Sequence, residues 1–316
     1  MSQKALNRIS TRTVGVLASV AAASMLLAGC SAPAEPSTTS SEDGSFTVLL
    51  ALSTLDNPYF ITLEEGAQAA ADEAGITLET VDAQNDPATQ ANQLADAITQ
   101  EYDLVIINSV DQDAAINPVA DLVAAGIPVI AVDNTVNTDQ LTTTVASDNV
   151  LGGEMAAEAL GAAVGESGQV AILRGLSGDS SSVARYEGFT TGIEKFADIE
   201  VVATQTADYD RALGLDVTTN ILQANPDVVG IFAENDEMAL GAIEALGDRA
   251  GTEVFVVGFD GTDDGIAAIK AGTLYASIAQ QAALLGQTAV EEALTVLGGD
   301  TIDDHISVPV ELLTAD

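Results

Sequence analysis

The feature that most constrains the fold is a regular alternation, from Phe46 onward, of short apolar runs with alanine-rich amphipathic segments. The runs are nearly continuous in Val, Ile, Leu and Phe, as in "VVGIFA", which indicates strands buried on both faces. Several of the intervening segments stop at a glycine, such as Gly75 or Gly126, as helices commonly do. Strands that alternate with helices predict right-handed crossovers and parallel sheets.

The length of 316 residues is too great for one ordinary core and suits two domains. Apolar residues make up 47% of the chain, enough for packed interiors. We therefore expect an α/β protein with two doubly wound, Rossmann-like domains, each built on a parallel sheet. The predicted helices cover residues 59–74, 88–101, 113–125, 151–164, 182–196, 211–224, 237–246, 264–271 and 282–297.

The first 30 residues read as an export signal. Lys4, Arg8 and Arg12 precede an apolar run from Val14 to Leu27, and the sequence "LAGC" follows within the pattern of a cleavage site. The run is roughly 14 residues long, against about 20 for a membrane span. Residues 31–45 are rich in Ser, Thr and Pro, which predicts a flexible tether.

Cys30 is the only cysteine of the chain, and two interpretations are open for it. It is either an unpaired thiol or a lipidation site, since its place after Leu-Ala-Gly resembles the lipobox of bacterial lipoproteins. We favour lipidation, which would anchor the exported chain to the outer face of the cell membrane, because two acyl chains suffice for stable anchoring.

The charge balance is extreme, with 48 acidic residues against 9 Lys and Arg. Nucleic acid is excluded as a partner, because binding to phosphates requires basic side chains. The acids are dispersed rather than in blocks, which is typical of a solvated surface that keeps an exported protein soluble.

Polar side chains follow most of the predicted strands. In open parallel sheets, ligands bind beyond the carboxyl ends of the strands, so we take these residues as candidate ligand contacts. Carboxylates accept hydrogen bonds from hydroxyls, Arg and amides donate to them, and aromatic rings cover apolar C–H faces, as a neutral polyol requires. Any single Asx residue is also a candidate helix cap, and we assign Asp148 to that role. The candidates are Ser53, Asn57, Tyr59, Phe60, Asn108, Asp133, Asn134, Ser147, Arg185, Tyr209, Asn235, Asp260 and Gln280.

Six motifs together resemble the ribose-binding-protein group of type I periplasmic binding proteins: "STLDNPYF", "VDAQNDPA", "ASDNVLGG", "ADYDR", "AENDEMALGA" and "VVGFDGT". The resemblance implies a solute receptor of an ABC sugar importer that closes around its ligand and docks on a permease and its ATPase subunit. It implies three crossings of a hinge, near Ser147, Gln280 and Pro309. The implied lobes are residues 46–147 plus 280–308, and 148–279 plus 309–316.

The resemblance also assigns roles to residues. It makes Asn57, Asp133, Asn235, Asp260 and Gln280 partners of sugar hydroxyls, with Ser53, Asn108 and Ser147 in or near the same shell. It makes Arg185 a donor to sugar oxygens. It makes Tyr59, Phe60, Tyr209 and Phe259 aromatics that hold the sugar ring.

The chain departs from this pattern at Asn134, where ribose binders carry an arginine. Loss of that planar donor removes a charge-assisted contact of about 1.5–3 kcal/mol, so polyol binding is expected to survive while sugar identity stays open. The absence of tryptophan favours a small ligand such as a pentose or pentitol. An alternative function is a sensor or co-receptor for a furanose-like signal such as an autoinducer.

Catalytic and cofactor motifs are missing. "GLSGD" departs from a nucleophile elbow at Asp179, and the single histidine, His305, lies in the final strand region. The chain contains no GxxxxGK[ST] or GxGxxG, and "DAQNDP" lacks the turn glycine of a calcium loop. We expect a monomeric binding protein with no enzymatic activity, no cofactor and no metal.

Overall fold

A computed structural model of the protein describes residues 46–315. The predicted export signal, the tether and Cys30 lie outside these residues. In the described range, no helix is both long enough and apolar enough to cross a membrane.

The described chain alternates strands and helices, as predicted. The strands are β1 Thr47–Leu52, β2 Thr77–Asp82, β3 Leu104–Ile107, β4 Val129–Val132, β5 Thr143–Ser147, β6 Ser167–Arg174, β7 Asp198–Thr206, β8 Val228–Ala233, β9 Phe255–Asp260, β10 Ala276–Ala279, β11 His305–Val308 and β12 Glu311–Leu313. The helices are α1 Pro58–Ala74, α2 Pro87–Gln100, α3 Ile116–Ala124, α4 Asn149–Ala163, α5 Ser180–Ile193, α6 Arg211–Ala224, α7 Asp236–Leu246, α8 Asp263–Ala271 and α9 Ala282–Leu297.

The strands form two sheets, with the orders β2-β1-β3-β4-β5-β11 and β7-β6-β8-β9-β10-β12. All neighbours pair in parallel except β10 and β12, which are antiparallel. Helices α1 and α9 pack on one face of the first sheet and α2 and α3 on the other; α4 and α5 cover one face of the second sheet and α6 to α8 the other. The predicted pair of doubly wound α/β domains is confirmed. We call the first sheet with α1, α2, α3 and α9 the first lobe, and the second sheet with α4 to α8 the second lobe.

The helix starts follow the capping side chains. Asp179 accepts a hydrogen bond from the Ser182 amide at 2.6 Å, so α5 begins at Ser180, two residues earlier than predicted. Helix α3 begins at Ile116, three residues later than predicted, because Asp111 first closes a turn by accepting from the next amides along the chain. Asp148 caps α4 by accepting from the Leu151 amide at 3.0 Å, as predicted.

The last apolar run, "ISVPVEL", contains two strands that belong to different sheets. Pro309 separates them and has no N–H to donate to a ladder. Strand β11 pairs with β5 of the first sheet and β12 with β10 of the second. The chain therefore passes between the sheets after β5, after β10 and after β11, which brings the carboxyl ends of strands from both sheets to a common cleft.

Candidate ligand-binding site

Strand ends of the two lobes line a small cavity, which we call the inner cavity. It is lined by Asn57, Tyr59, Phe60, Asp133, Asn134, Ser181, Arg185, Tyr209, Asn235, Asp260 and Gln280. Except for Ser181, each of these is a candidate from the sequence.

The first turn of α1 supplies the aromatic wall. Tyr59 and Phe60 are buried and meet edge to face, with ring centroids 5.1 Å apart. Asn57 accepts a hydrogen bond from the Tyr59 amide at 3.0 Å and so caps the helix that carries both rings. Asn57 also lines the inner cavity, so it is both a helix cap and a candidate ligand contact.

Asp133, at the end of β4, is the carboxylate of the first lobe. Its backbone φ is 62°, a left-handed conformation that brings the side chain toward the cavity. Oδ1 accepts from the Tyr59 hydroxyl at 2.7 Å, and Oδ2 accepts from Nδ2 of Asn108 at 3.2 Å. Burial raises the pKa of Asp133, although Arg185 and these two hydrogen bonds act against the shift.

Asp260, at the end of β9, is the corresponding carboxylate of the second lobe, with φ of 108°. Its Oδ1 accepts from Nε2 of Gln280 at 2.8 Å and lies 3.8 Å from Nη1 of Arg185. Burial raises the pKa of Asp260 well above its usual value; Arg185 lowers it, and the nearby Asp236 raises it further. Two buried carboxylates in strained backbone conformations thus face one cavity, an arrangement that is common where function requires it.

Arg185 on α5 is 3% exposed and is held on three sides. Nε donates to Oδ1 of Asn149 at 2.8 Å, and Nη1 donates to the Glu234 carbonyl at 2.7 Å. The guanidinium lies 3.9 Å from the ring centroid of Phe259. A guanidinium has five N–H donors, and among the described residues none accepts from Nη2, so this end of the group has donors available to a ligand.

The opposite wall comes from the loop before α6 and the start of α7. The Tyr209 hydroxyl donates to Asp179 at 2.7 Å, and the backbone of Tyr209 is left-handed, with φ of 61°. Asn235 caps α7 by accepting from the Met238 amide at 2.9 Å, and its Nδ2 donates to the Tyr209 carbonyl at 3.4 Å. Burial raises the pKa of Asp179 to about 6, with its hydrogen bonds opposing the shift.

Four predicted site residues do not line the inner cavity. Asn108 supports Asp133 from behind, and Phe259 lies under Arg185 because the pleat of β9 turns its ring toward α4. Ser53 lies on a neighbouring pocket, which Asn134 also lines. Ser147 faces a separate cavity together with His305, and its buried hydroxyl has no hydrogen-bond partner among the described residues.

Two residues of the site are not among the sequence candidates. Ser181 lies on the inner cavity, and its hydroxyl donates to Oδ1 of Asn134 at 2.6 Å. Glu234 is fully buried and accepts from the Gly175 amide and from the hydroxyl of Ser182, while Arg174 lies 3.3 Å away. Ser181 could have been found from Asp179, the helix cap two positions before it. Nothing in the sequence indicates that Glu234, the carboxylate next to Asn235, is buried.

The chemistry of the cavity is that of hydrogen bonding. Carboxylate acceptors, a guanidinium and amides surround a small space with aromatic walls. No group of three or more His, Cys, Asp or Glu in residues 46–315 has the arrangement of a metal site.

A family model described as a periplasmic binding protein domain matches residues 48–301, well over half of the chain. The chain belongs to this family. Among the relatives of this periplasmic binding protein are the ribose import binding proteins of Haemophilus influenzae and Bacillus subtilis. Each is 41% identical; the match covers 87% of this chain and 94% of the former, and 92% of this chain and 95% of the latter.

A solved structure supports the same grouping. It is an ABC transporter periplasmic solute binding protein from Actinobacillus succinogenes with bound D-allose, 32% identical, with a TM-score of 0.81. The match covers 86% of this chain and 98% of that one. The predicted resemblance to the ribose-binding group is thereby confirmed, as is the type I fold of this periplasmic binding protein.

Proposed function

We propose that the protein is an exported solute receptor of an ABC sugar importer and that it binds a small monosaccharide, a ribose-like pentose or a pentitol, in the inner cavity. The observation that carries this proposal is the convergence of Asp133, Asp260 and Arg185 from two lobes on one small cavity with aromatic walls. Relatives named as ribose import binding proteins support the same class of ligand.

In this proposal, sugar hydroxyls donate to the carboxylates of Asp133 and Asp260 and accept from Arg185. Charge-assisted hydrogen bonds of this kind are roughly twice as strong as neutral ones. Gln280 adds a specific indication, because its buried Oε1 has no hydrogen-bond partner among residues 46–315. An unpaired buried acceptor costs about 1–3 kcal/mol, so a hydroxyl donor at this position would recover that cost.

The faces of the sugar ring are proposed to lie between aromatic side chains of the two lobes. Tyr59 and Phe60 belong to the first lobe and Tyr209 to the second, and all three line the inner cavity. Their rings cover C–H groups that the polar residues do not contact. Because the cavity is small, we expect pentoses and pentitols to bind better than disaccharides.

The remaining parts of the proposal concern closure and partners. The lobes are proposed to divide at the predicted boundaries, 46–147 plus 280–308 and 148–279 plus 309–316, and to close on the sugar by a hinge motion. The closed form would dock on a permease whose ATPase subunit drives import. The receptor is proposed to act as a monomer, held at the outer face of the cell membrane by a lipid on Cys30, and to release its sugar unchanged.

A thermal-unfolding screen of the purified protein with D-ribose, D-allose, xylitol, D-glucose and sucrose tests the proposal. A ligand at about 100 times its Kd stabilises the folded state by about 2.7 kcal/mol, which gives a clear, concentration-dependent rise in Tm. We expect this rise with a pentose or pentitol and not with sucrose. Absence of a shift with every monosaccharide and polyol would overturn the proposal.

A further inference from the structure

The start of α5 is joined to the first lobe by hydrogen bonds that do not involve the hinge. Segment 178–181 contacts two loops of the first lobe, one after β3 and one after β4. The bonds run from the Gln112 amide to the Gly178 carbonyl at 3.0 Å, from the Thr135 amide to the Ser180 hydroxyl at 2.9 Å, and from the Ser181 hydroxyl to Oδ1 of Asn134 at 2.6 Å.

Of these three bonds, only the one from Ser181 to Asn134 is connected through further hydrogen bonds to Arg185 of the ligand site. Nε of Arg185 donates to Oδ1 of Asn149, and Nδ2 of Asn149 donates to the Ser181 hydroxyl at 3.3 Å. The Ser181 hydroxyl in turn donates to Asn134 of the other lobe. The four side chains form a buried chain in which every hydrogen bond runs in one direction, from the guanidinium to the first lobe. The bond from Thr135 to Ser180 has no such connection.

We infer that Ser181 and Asn149 are positioning residues that couple the orientation of Arg185 to closure of the lobes. The inference rests on the proposed sugar-binding function. It identifies the hydrogen bonds through which closure of the lobes would fix the orientation of Arg185. Asn134 and Ser181 belong to different lobes, so separation of the lobes breaks their hydrogen bond. The Ser181 hydroxyl stays beside Asn149 in the second lobe but loses its acceptor and can rotate, so it holds the Asn149 amide less firmly, and Nε of Arg185 loses a firmly held acceptor. Nδ2 of Asn149 also donates to the Ser147 carbonyl at 3.3 Å.

The coupling is reciprocal. A sugar that holds Arg185 in its bound orientation favours the intact chain of hydrogen bonds and therefore the closed lobes. Closed lobes, by the same bonds, present Arg185 in the orientation that binds sugar. At Asn134 the side-chain oxygen thus accepts the hydrogen bond that joins the lobes, while its amide nitrogen makes no hydrogen bond among the described residues.

A double-mutant cycle read by calorimetric titration with D-ribose tests the inference. Ser181→Ala breaks the chain to Arg185, and Ser180→Ala is the matched control, because it removes a neighbouring bond between the lobes that does not lead to Arg185. We expect each serine variant to lose roughly three- to tenfold in affinity, as for one buried hydrogen bond. Each is then combined with Arg185→Lys.

The two cycles are expected to differ. Ser181→Ala with Arg185→Lys should lose at least threefold less affinity than the product of the single losses, because both changes disable the same device. Ser180→Ala with Arg185→Lys should match the product to within about twofold. A Ser181 cycle that also matches the product would overturn the inference.

A second cycle covers the case in which Arg185→Lys binds too weakly to titrate. Asn149→Ala and Ser181→Ala both leave Arg185 in place, and together they should cost little more affinity than the larger single loss. Multiplicative losses would again overturn the coupling. The proposed function is tested separately, because it fails only if the unmodified protein binds no sugar of the screen.

Discussion

Asp260→Asn separates the role of this residue in binding from its role in folding. The residue ends β9 with a φ of 108°, a conformation that Asn tolerates far better than Ala does. The side-chain oxygen that accepts from Gln280 at 2.8 Å is retained in Asn. The substitution therefore replaces an ionisable carboxyl group in the cavity with a neutral amide and leaves shape and backbone almost unchanged.

The structure gives opposite signs for the two effects of this substitution. A charge-assisted hydrogen bond to a sugar hydroxyl is lost, at about 1.5–3 kcal/mol, so the affinity should fall by tenfold to about a hundredfold. Burial and the charges of Asp236 and Asp133 together outweigh Arg185 and the Gln280 hydrogen bond and raise the pKa of Asp260, which means that its charge is unfavourable in the folded protein. Without sugar, the Tm should therefore stay constant or rise by a few degrees, at about 2–4 °C per kcal/mol.

Calorimetric titration with D-ribose measures the first effect, and scanning calorimetry without sugar measures the second. Asp264→Asn is the control, since Asp264 is an exposed acid of α8 whose side chain does not line the inner cavity. We expect the control to bind within about twofold of the unmodified protein. Equal affinity in Asp260→Asn would remove this residue from the site, and a fall in Tm of more than about 5 °C would show that its charge stabilises the fold.

Three further substitutions have predicted outcomes. Tyr209→Phe keeps the ring but leaves Asp179 without its 2.7 Å donor, so thermal unfolding should show a loss of about 1–2 kcal/mol, with sugar affinity reduced less than tenfold. Glu234 has a pKa raised by burial to about 7, so the folded state binds more protons than the unfolded state. Stability therefore falls as pH rises from about 5 to about 8, and Glu234→Gln should reduce the dependence of Tm on pH over this range. Gly286→Ala would place a methyl group 2.0 Å from the Leu63 carbonyl oxygen, between α9 and α1. Urea unfolding should show a loss of about 1–3 kcal/mol of stability. A variant as stable as the unmodified protein would refute this packing.

The fold was predictable because its signals are local and repeated. Apolar runs of strand length, helices ended by glycines such as Gly75, and polar residues after each strand are all visible in the sequence. Within "ISVPVEL", only the family resemblance indicates the crossing between the sheets, because period and composition do not change across Pro309. Helix starts shifted where a side chain such as Asp179 or Asp111 captured amides that the apolar pattern does not reveal.

The site was predictable in residue type more than in orientation. The carboxyl ends of both parallel sheets face one cleft, which is why Asp133 of the first sheet and Asp260 of the second meet at one cavity. The resemblance predicts that Phe259 holds the sugar ring, whereas in the structure the alternation of side chains along β9 places this ring beneath Arg185. Glu234 was not predicted, because a carboxylate that is buried and satisfied by backbone and hydroxyl donors looks, in sequence, like any surface acid.

The most direct test of the account is a crystal structure of the protein grown with the sugar that raises its Tm most. The account predicts density for one sugar in the inner cavity, with hydroxyls within hydrogen-bond distance of Asp133 from one lobe and of Arg185 and Asp260 from the other. A sugar bound elsewhere on the surface, or held by residues of a single lobe, would contradict it.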